Sequence, residues 1–200
     1  MKTTNKLYLI ATILVSLAFS SCKSEDPVPE NDGELITDVT LHFQEFDENL
    51  DPVGDLISFQ ASDPEGIENG QSPTIDIVTL KKGKNYIMTI DVANSIANED
   101  ITGEILEESD EHQFYFLGSA WEGDSAPLTY AYDDPSGELI GIQGIVTVEE
   151  LTSINNSQMR IVLRHDLDKN YPGADNPNFV DFTAAGGESD LDITFPLVIE

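Results

Sequence analysis

The chain has 200 residues, 40% of them hydrophobic, with 38 acidic against 9 basic side chains and a net charge of −29. The apolar fraction is enough for a core, which excludes disorder throughout. The charge argues against nucleic acid, since phosphate backbones repel so acidic a chain, and a lone cysteine excludes an internal disulfide.

Residues 1–21 read as an export leader. Lys2 and Lys6 give a positive start without acids, and Leu7–Phe19 is an almost unbroken apolar run. A positive end, a short greasy centre and small residues before a cut are what a secretory signal requires. The run is shorter than the roughly 20 apolar residues of a membrane-spanning helix. Phe19-Ser20-Ser21-Cys22 resembles the bacterial lipobox, with Phe19 where Leu is commoner. The alternative is an ordinary leader with an incidental thiol. On the lipobox reading Cys22 becomes the acylated N-terminus. Each buried CH₂ contributes about 0.8 kcal/mol, so two or three chains anchor stably. Loss of both leader lysines leaves the mature chain more negative still, so lipid rather than charge must hold it at an anionic membrane.

Residues 22–33 (CKSEDPVPENDG) form an acidic, proline-bearing flexible tether. Lys23-Ser24-Glu25-Asp26 resembles the short Lys-then-acidic export signal of Bacteroidota surface lipoproteins, and reads equally as an acidic linker.

Residues 34–200 suit one domain. Its pattern is mostly period two, the signature of half-buried strands. Val39, Leu41 and Phe43 alternate with Thr40, His42 and Gln44. Candidate strands follow at Leu56–Gln60 and Thr74–Leu80, then at Tyr86–Val92, where Tyr86, Met88, Ile90 and Val92 share one face. Asn98–Glu111 breaks the rhythm. Asp100 can cap a short helix near 100–109, with Ile101, Ile105 and Leu106 at helical spacing. Phe114 and Phe116, Leu128–Tyr132, Leu139–Val148, Met159–Leu163 and Leu191–Leu197 complete about eight to ten strands, separated by turn-forming Gly, Pro, Asp and Asn. Pro196 lacks an N–H for the ladder and is expected at an edge or a strand end. The expected fold is all-β, an antiparallel sandwich, immunoglobulin-like or a related Greek key.

Three histidines differ in phase. His42 falls on the polar side of its strand; His112 shares phase with Phe114 and Phe116, and His165 with Met159, Ile161 and Leu163. Inward imidazoles need hydrogen-bond partners or a metal. His112 and His165 with Glu111, Asp110 or Asp166 are therefore a candidate transition-metal set, since imidazole plus carboxylate suits zinc or copper. Two separately satisfied core-edge histidines are the plainer reading, because spacing does not say whether their strands are neighbours.

Asp168, Asn170 and Asp175 offer loop oxygens for calcium, although Tyr171 stands where an EF-hand has glycine. Asp133, Asp134 and Ser136 have similar chemistry, and solvated turn carboxylates are the plain alternative at each. Trp121, in Gly118–Pro127, can contact a ligand or close one end of the core. No Gly-x-Ser-x-Gly elbow, His-Glu-x-x-His, phosphate loop or dinucleotide fingerprint occurs, so no catalysis is expected.

Ser109-Asp110-Glu111-His112-Gln113-Phe114, Leu163-Arg164-His165 and Gly186-Gly187-Glu188-Ser189-Asp190 before a terminal alternating strand together resemble a family of small Bacteroidota (flavobacterial-type) outer-membrane lipoproteins. These are associated with TonB-dependent uptake systems. The resemblance implies a surface or periplasm-facing accessory that binds a small ligand or an outer-membrane receptor. It assigns no role to any residue. The alternatives are a calcium-stiffened adhesion module and an extracellular glycan hydrolase.

Overall fold

The computed structural model describes residues 35–68, 72–151 and 156–200. The leader, Cys22 and Lys23–Asp26 lie outside the described residues.

Among the described residues, ten strands form two sheets. β1 (Asp38–Phe46), β2 (Ile57–Ser62), β3 (Thr74–Ile75), β5 (Asn85–Ala93), β7 (Leu128–Tyr132) and β8 (Gln143–Val148) make a six-stranded antiparallel sheet in the order β3-β2-β1-β5-β8-β7. β4 (Val78–Leu80), β6 (Gln113–Leu117), β9 (Ser157–His165) and β10 (Glu188–Ile199) make a four-stranded sheet in the order β4-β10-β9-β6. The fold is an all-β sandwich. β1, β2 and β3 run as consecutive neighbours and β5 returns beside β1, which is Greek-key wiring.

The alternating residues point where their period requires. Val39, Leu41, Phe43, Met88, Ile90, Phe114, Phe116, Met159, Ile161, Leu163 and Phe195 are all buried in one core between the sheets. Burying each such side chain contributes about 1.5–3 kcal/mol before entropy is counted. α1 (Ile101–Glu107) closes one end. The Asp100 side chain accepts the Gly103 N–H at 3.3 Å, and Ile101 and Ile105 enter the core. Leu106 departs from its expected place: it is 47% exposed, because seven residues give the helix only a narrow buried stripe.

Four further departures have local causes. The second sheet is not wholly antiparallel, since β4 lies parallel to β10. The Thr74–Leu80 candidate is two strands, because the chain leaves one sheet at Asp76-Ile77 and enters the other. The Leu139–Val148 candidate begins only at Gln143, because the Asp134 carboxylate draws the Ile140 and Gly141 N–H groups out of ladder geometry. β6 is buried on both faces: Tyr115 and Leu117 join Val162, Leu167, Phe182 and Ala185 in a second, smaller core. That core is roofed by the 166–187 loop, including a 3-10 turn at Phe182–Ala185. Pro196 faces Gln158 of β9, and β4 joins β10 only from Leu197 on, so its missing N–H falls where one flank is unpaired.

Candidate metal centre

The sheet register brings the two inward histidines together. β6 and β9 are antiparallel neighbours with Gln113 opposite Arg164, which places His112 and His165 side by side at the strand ends. Their rings stack with centroids 4.4 Å apart and planes 13° from parallel. His112 is fully buried, and the His165 side chain is 14% exposed.

Three backbone devices hold this corner. The turn after α1 is tight: the Glu108 carbonyl accepts the Glu111 N–H at 2.9 Å and the His112 N–H at 3.2 Å, delivering both side chains to the start of β6. Gly186 and Gly187, at φ +81° and +70°, turn the chain into β10. A Cβ on Gly187 would stand 2.0 Å from the His165 carbonyl oxygen, so only glycine lets the hairpin press against His165–Leu167. The third device is a bulge. Ser189 faces Arg164 and Leu191 faces Leu163, which leaves Asp190 without a cross-strand partner. Asp190 and Leu191 are consequently both buried, where strict alternation would put Asp190 outside with Asp192.

Around the stacked rings stand four carboxylates. Asp190 Oδ2 lies 3.7 Å from His112 Nε2 and 3.8 Å from His165 Nδ1. His165 Nε2 faces Glu111 Oε2 at 3.5 Å and Asp166 Oδ1 at 3.9 Å. His112 Nδ1 is 4.0 Å from Glu108 Oε2 and 3.3 Å from the Glu108 carbonyl oxygen. Two overlapping sets of potential ligand atoms result, Glu111–His165–Asp166 at the surface and Glu108–His112–His165 deeper, each with its atoms within 4.8 Å of one another. Imidazole nitrogens beside carboxylate oxygens at such separations can hold a divalent cation.

Two cations brace the corner. Arg164 points to the opposite face of its sheet, where its guanidinium donates to Ser189 Oγ and to the Gly186 and Gly187 carbonyls, each at 2.6 Å, beneath the Phe182 ring. Burial pulls it below its usual range against the raising effect of Asp190. Lys169 Nζ donates to the Ser109 carbonyl at 2.5 Å and the Leu139 carbonyl at 3.2 Å, and burial lowers its affinity for its proton too.

The other expected site residues are placed elsewhere. His42 lies on the outer face of the six-stranded sheet, with Nδ1 2.7 Å from Ser58 Oγ and Nε2 3.0 Å from Asp91 Oδ2. Asp168 Oδ1 accepts the Asn170 N–H at 3.0 Å in a local turn, and Asp168, Asn170 and Asp175 are all exposed. Neither Asp168 nor Asp175 joins either carboxylate–histidine set. Trp121 is 6% exposed and packs edge-on against Phe116 and Tyr130, which places it at the end of the core. The sequence reading missed Glu108 and Asp190. Asp190 shares the polar phase of Asp192, and only the bulge turns it inward.

No protein-family model, curated protein or solved structure matches this chain.

Proposed function

We propose that this chain is a lipid-anchored, non-catalytic binding lipoprotein of the outer membrane, exposed at the cell surface and serving an uptake system. The observation that carries the reading is Cys22, the one cysteine of the sequence, directly behind Phe19-Ser20-Ser21 at the end of a stretch that reads as an export leader. The acidic charge of the chain gives it no attraction to a membrane surface of like charge, so the lipid is what would hold it there. The binding end is the corner of His112, His165 and their carboxylates, where donor atoms for a cation gather near solvent.

Expression with a labelled fatty acid in a bacterial host tests the anchor. The mature protein should carry label and begin at residue 22, and Cys22→Ala should abolish both labelling and membrane retention. Protease treatment of intact cells should degrade the domain. A mature N-terminus elsewhere, free of lipid, would overturn the proposal.

A further inference from the structure

We infer that His165 Nε2, Glu111 and Asp166 form an open three-ligand site for a divalent transition metal, with Asp190 behind the imidazole as its positioning carboxylate. The inference rests on reading this corner as the binding end and is independent of whether Cys22 is acylated.

Geometry supports the surface set first. Zinc bonds to nitrogen and carboxylate oxygen are about 2.0–2.2 Å long, which puts neighbouring ligands of a tetrahedral ion about 3.4 Å apart. The His165–Glu111 and His165–Asp166 separations are 3.5 and 3.9 Å. Glu111 and Asp166 side chains are 49% and 71% exposed, so both can close the remaining few tenths of an ångström, and solvent reaches the fourth position. Asp166 sits at φ +56°, a left-handed conformation that Asp takes more readily than most side chains, and Gly187 packs so close to its backbone that an added Cβ would stand 2.8 Å from the Asp166 carbonyl carbon.

The independent observation is Asp190. Its side chain is 5% exposed, and its Oδ2 accepts no hydrogen bond. A buried carboxylate without such bonds is costly unless a positive charge compensates it. Oδ2 stands between His112 Nε2 at 3.7 Å and His165 Nδ1 at 3.8 Å, the latter being the nitrogen opposite the one that faces Glu111 and Asp166. A metal on Nε2 places the ring proton on Nδ1 and makes the ring a donor toward Asp190. That carboxylate–histidine–metal relay fixes the tautomer and strengthens the ligand.

The deeper set is disfavoured by its own hydrogen bonding. A carbonyl can only accept, so the 3.3 Å contact between His112 Nδ1 and the Glu108 carbonyl puts a proton on the nitrogen nearest the Glu108 carboxylate. His112 then serves as the stacked floor beneath His165. An imidazole ligand selects zinc, copper or nickel over calcium and magnesium, which prefer oxygen alone.

The test is metal titration of the purified, EDTA-stripped chain by calorimetry and thermal melting, using zinc, with calcium and magnesium as comparators. Zinc should bind one equivalent and raise Tm by about 5–10 °C at a hundredfold excess over Kd, and the comparators should not. Cobalt should give the visible absorption of a four-coordinate ion. The exposed pair Glu111→Gln with Asp166→Asn should fold and lose the zinc response, as should His165→Ala. Asp190→Asn should weaken zinc about 10–100-fold, and His42→Asn should leave it unchanged. No zinc response, or one that survives the Glu111/Asp166 double variant, would overturn the site. A response abolished by Glu108→Gln but not by that double variant would move the metal to the deeper set and equally overturn the assignment. Neither result touches the lipid-labelling experiment, so the two readings fail separately.

Discussion

Asp134 and Asp190 are equally buried, at 9% exposure each, and they live in opposite electrostatic circumstances. Asp134 sits in the β7–β8 loop and accepts three backbone N–H groups, from Ile140 at 3.2 Å, Gly141 at 2.8 Å and Gln143 at 3.0 Å. Its charge is fully answered by the chain, and it acts as a staple. Asp190 has an Oδ2 with no hydrogen bond, held by a bulge against two imidazoles at 3.7 and 3.8 Å. A fold tolerates a buried carboxylate when the backbone neutralises it. Where the backbone does not, the charge is available to something else, and here it backs a ring whose far nitrogen faces two more acids.

The contrast can be broken from its frame. Gly187→Ala forces a left-handed residue to carry a Cβ 2.0 Å from the His165 carbonyl. The hairpin must lift away from His165 and Asp166. We expect a loss of about 3–4 kcal/mol, read by denaturant unfolding, together with loss of the zinc response. Retention of both would show that the hairpin does not set the corner.

Next in size is Asp134→Ala, which removes the staple and leaves three loop N–H groups without their acceptor. We expect a loss of about 2–3 kcal/mol with zinc binding intact, because Asp134 touches neither ligand set. An unchanged Tm would mean that water replaces the carboxylate without cost.

Asp190→Asn should behave in the opposite way. Removing a buried charge that the backbone does not answer leaves the metal-free chain within about 1 kcal/mol of the native one, or slightly more stable. The zinc affinity falls instead. Stability and binding thus separate at two residues of identical burial. A destabilisation as large as that of Asp134→Ala would show that Asp190 is another staple.

How much of this was legible in the sequence divides along the same line. Alternation placed Val39, Leu41 and Phe43 inside, and gave His112 and His165 their inward phase, because period two is a local property of a strand. Their adjacency was not legible, since it depends on the β6–β9 register across some fifty residues. Asp190 was hidden for a further reason: a bulge reverses one residue's direction without altering composition. The apolar run Phe114-Tyr115-Phe116-Leu117 did carry a missed signal, because an unbroken run marks a strand covered on both faces. The 166–187 loop provides the second cover, a tertiary fact that Tyr115 alone does not announce.

The smallest expected effect sharpens the comparison through a third acid. Glu68 Oε1 accepts the Asp192 N–H, which favours its ionised form. Glu68 is exposed, but partial desolvation of its carboxyl outweighs that bond, and with the charges of Asp192 and Asp190 it holds the group above its ordinary 4.5. The folded chain therefore keeps this proton over a pH range in which the unfolded chain has released it. Stability from this group falls as pH rises from about 4.5 through the raised value, and the deficit persists at neutral pH. Glu68→Gln keeps an acceptor for Asp192 and removes the charge, so its Tm should exceed the native one at pH 7 and converge with it at pH 4. Adding Asp190→Asn should shrink the pH 7 gain, because one of the charges repelling Glu68 is then gone. A gain identical at both pH values would show that the effect is packing rather than charge, and that Asp190 does not project its field this far.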